Sequence, residues 1–107
     1  MHLKTEKKLY VRIDFKIDEK DIAYQDFQDH LAYVKNIAKE RYFMGGGFSN
    51  TTSGMALFEA DSFEEAQEIA RNDPIIKSGL YCPEIYEWNL VILSEKPKEW
   101  FLINNIT

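Results

Sequence analysis

Residues 9–40 read LYVRIDFKIDEKDIAYQDFQDHLAYVKNIAKE, and a change of period inside this stretch decides the fold class. Val11, Ile13, Phe15 and Ile17 alternate with Tyr10, Arg12, Asp14 and Lys16. Successive side chains of a strand point to opposite faces, so Leu9–Ile17 reads as a β-strand with one face in the core. Asp18-Glu19-Lys20-Asp21 breaks the alternation and offers a capping residue and acids suited to a helix N-terminus. From about residue 21 to 40 the period becomes helical. Phe27, Leu31, Val34 and Ala38 form one stripe, joined by Ala23, His30 and Ile37, while Gln25, Gln28, Asp29, Lys35 and Lys39 fall mainly on the other side. This is an amphipathic helix of about five turns.

Beyond it, Arg41-Tyr42-Phe43-Met44 is a short aromatic strand running into Gly45-Gly46-Gly47, which reads as a tight bend or bulge at the strand end. A polar turn, Phe48 to Ser53, leads to a third strand, Gly54–Ala60, so the two strands form a hairpin. Ser62 and Glu65 make a capping box for a second helix with Phe63, Ala66, Ile69 and Ala70 on its buried stripe. Pro74 disfavours helical angles at Asp73, so that helix ends near Asn72 and a short turn follows. Cys82 to Leu93 is the last strand, with Tyr86, Trp88, Leu90 and Ile92 on one face. The order is therefore βαββαβ: an α+β, ferredoxin-like fold with a four-stranded antiparallel sheet and both helices on one face. The opposite sheet face is left bare and apolar, which predicts a homodimer packing sheet against sheet.

The chain has 107 residues, enough for one domain, assigned to residues 8–95, with a C-terminal tail, 96–107, expected to pack on the domain or on the dimer partner. A net charge of −5 gives no basic footprint for nucleic acid. No apolar run is long enough to span a bilayer, and the first eight residues do not form a signal peptide. A single cysteine, Cys82, precludes an internal disulfide and favours a reducing compartment, so the expected location is cytoplasmic. Cys82 itself is expected to act as a small buried hydrophobe. Two histidines and one cysteine without ligand spacing argue against a metal site, and no nucleotide or flavin fingerprint implies a cofactor.

The ordered series His30-Leu31-Ala32-Tyr33-Val34, Gly45-Gly46-Gly47, Asp61-Ser62-Phe63-Glu64-Glu65-Ala66, Asn72-Asp73-Pro74, Gly79-Leu80-Tyr81 and Ile85 to Trp88 resembles the YciI-like (YCII-related) family over roughly residues 8 to 93. The resemblance implies a dimeric ferredoxin-like α/β barrel and a histidine/aspartate site, matching His30 and Asp73. It also implies chemistry of the kind found in a related dehydrochlorinase group acting on chlorinated hydroxyhydroquinones, and in the muconolactone isomerases of the wider fold group. Two departures stand out. Phe48 follows the glycines where members often have proline, and Asn50 occupies a loop position where some carry aspartate.

Two readings of the site stay open from the residues. His30 is either a core-edge histidine or a general base, and Asp73 is either the cap of the turn at Pro74 or the carboxylate that orients the imidazole. Gly46, Gly47, Phe48, Asn50 and Tyr81 are the residues expected around a small-molecule ligand. The function expected is a cofactor-independent enzyme moving a proton on a small aromatic or enol-type substrate. The alternative is a non-catalytic dimeric module binding a small ligand or partner through the same pocket.

Overall fold

A computed structural model describes residues 7–96. The elements run β1 (Lys8–Lys16), α1 (Tyr24–Glu40), β2 (Phe43–Gly47), β3 (Gly54–Ala60), α2 (Phe63–Arg71), α3 (Pro74–Lys77) and β4 (Tyr81–Trp88). The four strands form one sheet in the order β2-β3-β1-β4, every neighbouring pair antiparallel. This is the ferredoxin-like arrangement that the period changes predict.

The face of β1 in the core is the one carrying Tyr10 and Arg12, both buried. They stand beside Ala56 and Phe58 of β3 in the ladder, and Tyr10 packs in one core cluster with Ala66 and Ile69 of α2. Val11, Ile13 and Phe15 therefore face away from the helices, with Met55 and Leu57 of β3 and Tyr86 and Trp88 of β4. The regular apolar alternation marks the uncovered face. Burying Phe58 alone contributes roughly 2–3 kcal/mol, and the Phe43 and Tyr10 rings pack around it with centroids 5.9 and 6.4 Å away.

Several expected details are corrected. Gly45-Gly46-Gly47 is not a bend but strand, paired with Ala56, Met55 and Gly54. The chain turns only at Phe48, whose N–H donates to the Ser53 carbonyl at 3.0 Å. The last strand stops at Trp88, because β1, its single neighbour, pairs no further than Leu9; Leu90 to Leu93 are exposed and carry no strand. Asp18–Asp21 does not cap α1, whose N-cap is Ala23 with no side-chain bond. Cys82 is exposed, since its place opposite Phe15 puts it on the uncovered face. The expected tail, 96–107, lies outside the described residues apart from Lys96.

Helix α2 follows its sequence signals closely. Ser62 Oγ accepts the Glu65 N–H at 3.0 Å. The Glu65 carboxylate turns back to the Asp61 N–H at 2.7 Å and to Arg41 at 3.1 Å. These donors hold the Glu65 carboxyl below the ordinary range. Helix α1 differs: none of its 17 residues is fully buried. Its apolar stripe meets the core through Ile37 but looks onto a cavity through Phe27, Leu31 and Val34, and Phe27 stays 40% exposed.

Candidate functional site

The helix α2 ends, and the site begins, where Pro74 enters the chain. Asn72 closes α2, and the Asp73 N–H donates to the Ala70 carbonyl at 3.1 Å. Pro74 holds Asp73 in an extended conformation, φ −71° and ψ 127°. The side chain therefore turns back onto the short helix α3, where Oδ1 accepts the Ile75 N–H at 3.0 Å. Gly79, at φ +81°, is the left-handed residue just after α3, and its N–H reaches the Ile76 carbonyl.

The same carboxylate does more than cap. His30 Nδ1 lies 2.7 Å from Asp73 Oδ1. Arg12 Nη2 donates to Oδ2 at 2.9 Å, and Arg12 Nε donates to Asp14 Oδ1 at 2.8 Å. Asp73 is 0% exposed and Arg12 1%. A guanidinium fits inside the sheet here because Arg12 stands opposite Ala56, a small residue, on β3. Burial pushes the Asp73 carboxyl up, but the His30 hydrogen bond, the Arg12 guanidinium and the Ile75 N–H outweigh it and hold the group below the ordinary carboxylate range. An ionised Asp73 is an acceptor only, so the proton of this bond sits on His30 Nδ1, and Nε2 of the neutral ring keeps its lone pair. The imidazole side chain is 19% exposed and leans on Phe27, with ring centroids 6.0 Å apart.

His30 opens onto a cavity of about 240 Å³ between α1 and the β1–β3–β2 part of the sheet. Phe27, Leu31 and Val34 of α1 form its roof, and Gly45 to Gly47 form part of its floor. Arg12, Asp14, Ala56 and Tyr81 complete much of the wall. Of the residues expected around a ligand, Gly46, Gly47 and Tyr81 line this cavity, whereas Phe48 and Asn50 sit in the exposed β2–β3 turn and do not. Tyr33 and Tyr42 do not line the cavity. Tyr33 donates its hydroxyl to the Ile69 carbonyl at 2.7 Å, tying α1 to α2, and Tyr42 is exposed. Trp88 belongs to the uncovered face.

Arg12 and Asp14 were not foreseen as site residues. Their positions in an alternating strand gave them the look of a solvent face. A usable signal was present all the same: the run Tyr10-Arg12-Asp14 would place an arginine and an aspartate, two apart on one face of a strand, under two helices if that face were covered. Among the described residues, no group of three or more His, Cys, Asp or Glu side chains is placed to hold a metal ion. No helix among them is long and apolar enough to cross a membrane.

Comparison with known proteins agrees with this architecture. The YCII-related domain model matches residues 5–89. The uncharacterized protein YjpA of Bacillus subtilis (strain 168) is 40% identical over 76 residues, which is 70% of this chain and 84% of that protein. Among solved structures, the 5-chloro-2-hydroxyhydroquinone dehydrochlorinase TftG from Burkholderia phenoliruptrix AC1100, in complex with 2,5-dihydroxybenzoquinone, superposes with a TM-score of 0.66. The likeness covers 78% of this chain and 95% of that one at 21% identity, and it shows a shared fold.

Proposed function

The chain belongs to the YCII-related domain family, and we propose that it is a cofactor-independent enzyme in which His30 moves a proton on a small aromatic or enol-type substrate while Asp73 fixes the imidazole. The observation that carries the reading is the 2.7 Å contact between His30 Nδ1 and a fully buried, ionised Asp73 beside an open cavity. A carboxylate bonded to Nδ1 leaves Nε2 as the basic nitrogen and limits rotation of the ring. Asp73 cannot swing away, because Arg12 and the Ile75 N–H hold both of its oxygens.

Charge supports the same direction of transfer. Arg12, Asp14 and Asp73 together carry one net negative charge. A proton taken up by His30 neutralises the cluster and leaves an imidazolium beside the phenolate or enolate oxygen just formed. Lyase, dehydrochlorinase and isomerase steps all begin with such a transfer. The dehydrochlorinase among the structural neighbours makes chlorinated hydroxyhydroquinones a sensible first panel. The test is chloride release, or isomer formation, from hydroxylated and chlorinated quinols with the purified protein. Replacing His30 by alanine is expected to lower turnover about 10²–10⁴-fold with the fold intact; unchanged turnover refutes the base role.

The working unit in this reading is a cytoplasmic homodimer of the 8–95 domain, with the 96–107 tail docked on the domain or its partner. Support comes from the uncovered sheet face, where Phe15, Met44, Met55, Tyr86 and Trp88 are all exposed. A sheet face this apolar is rarely left to water, and a twofold pairing of two such faces covers it.

A further inference from the structure

The cavity wall carries a pair of side chains, Arg12 and Asp14, that set the charge around His30 and also face the ligand space. Asp14 lines the cavity with its side chain 16% exposed. Its Oδ1 is held by Arg12 Nε at 2.8 Å, and no described residue donates to Oδ2. Arg12 lines the same wall and spends Nε and Nη2 on carboxylates, one on each side. The wall thus offers a carboxylate acceptor next to a guanidinium whose charge is already matched twice over.

The floor has its own character. Gly45 and Gly47 share one face of β2 with Phe43, two and four residues before them. A Cβ built on Gly45 would come within 3.2 Å of the Ala56 Cβ, so that backbone is closely packed, whereas a Cβ on Gly47 would meet nothing within 4 Å. Gly47 therefore leaves bare backbone beside open space, as strand glycines do where another group approaches closely. The glycine strand lines the same cavity as the Phe27 ring, and its lack of side chains leaves a slot suited to something flat. About 240 Å³ admits one ring and a few substituents; a dry cavity of about 150 Å³ already takes benzene.

From these features we propose that the cavity selects an uncharged, single-ring planar ligand whose hydroxyl group donates to Asp14, and that the Asp14 carboxylate rejects ligands presenting a carboxylate at the same place. A hydroxyl both donates and accepts, so it can use the Asp14 oxygen and the neighbouring Arg12 N–H groups together. A carboxylate is acceptor-only, and it meets a like charge at Asp14 with no unmatched cation on the wall to offset it. This selection rests on the cavity being the substrate site of His30.

Titration of the ¹⁵N-labelled protein with hydroquinone, 1,4-dimethoxybenzene and benzoate tests it. Hydroquinone should shift the Gly45–Gly47 and His30 amides and bind about tenfold or more tighter than either of the others, the worth of one hydrogen bond to a charged group. In an Asp14→Asn protein the hydroquinone-to-benzoate preference should fall about tenfold, because the repelling charge is gone. Gly47→Leu, which fills the slot from outside the charge cluster, should abolish hydroquinone binding and leave the amide spectrum folded. Benzoate binding as tightly as hydroquinone, an unchanged preference in Asp14→Asn, or undiminished binding in Gly47→Leu would each overturn the proposal. The two readings fail separately. Hydroquinone preference with turnover indifferent to His30→Ala removes the base and keeps the ligand class. Turnover that depends on His30 but runs on a carboxylate substrate removes the ligand class and keeps the base.

Discussion

His30 and Asp73 are 43 residues apart in the chain and 2.7 Å apart in space. The first rides on α1 and the second caps α3, so the contact exists only when both helices lie on the same sheet face. Arg12, reaching up from β1, makes the third point of attachment at 2.9 Å. The arrangement ties the candidate chemistry to the packing of three separate elements.

Arg12 is the member whose loss should be felt most in stability. Arg12→Met leaves Asp73 fully buried with one charge partner fewer and leaves Asp14 without its cation. Removing one partner of a buried ion pair costs about 3–5 kcal/mol. Urea unfolding monitored by circular dichroism reads the change directly, and a loss under about 1 kcal/mol would mean that the Arg12–Asp73 contact contributes little.

Acid sensitivity follows from Asp73. Its folded pKa is depressed, so its contribution to stability is fully present above the unfolded carboxylate value, about 3.9, and is lost as pH falls through the lower folded value. Stability measured from pH 6 downward should therefore drop below about pH 4 more steeply in the parent protein than in Asp73→Asn. Parallel curves for the two proteins would contradict this.

Removal of the His30 ring should separate function from folding. Asp73 keeps Arg12 and the Ile75 N–H after His30→Ala, and the lost imidazole is partly exposed. The variant should stay folded but lose about 1–3 kcal/mol, because a buried carboxylate gives up a hydrogen bond and α1 one of its two fastenings. A collapse of the fold would instead make His30 a structural residue first.

Ser62 offers a local control. Ser62→Ala removes the acceptor for the Glu65 N–H and should cost about 1 kcal/mol. The proposed site should keep its ligand preference, because Asp73 hangs on the far end of α2. Thermal melting and the hydroquinone titration check both halves.

The proposed dimer has a direct test in Val11→Asp, which puts a charge in the middle of the uncovered sheet face without touching the core or the cavity. Light scattering should give the mass of two chains for the parent and of one chain for the variant. A parent that already runs as one chain removes the dimer.

Much of this was legible in the residues, and what was not has a physical reason. The switch from period 2 to period 3.6 at residue 18 located β1 and α1. Ser62, Glu65 and Pro74 bounded α2, because capping and proline sterics are local and leave local marks. Asp73 could be read as a cap from Pro74 and as a partner of His30 at once, one oxygen for each; the structure puts both contacts on Oδ1 and gives Oδ2 to Arg12. The face of β1 was harder. Alternation tells which residues share a side, but not which side the helices will cover, and here the more apolar side is the uncovered one. Arg12 and Asp14 stayed hidden for that reason. The glycine run was equally ambiguous, since glycine suits both a bend and a strand, and only pairing with β3 decides between them.

Helix α1 covers the cavity with no residue fully buried and no side-chain cap at its first turn. Two hydrogen bonds from its middle, Tyr33 to Ile69 and His30 to Asp73, fasten it to the rest of the molecule. Of the two partners, Asp73 is fully buried, whereas His30 stands on a helix with no fully buried residue. Amide exchange should run faster along α1 than in β1 or β3, and a ligand filling the slot should slow it. Access for the ligand and alignment of the base would then be one motion, so the rate of that motion would cap the rate of any chemistry beneath it.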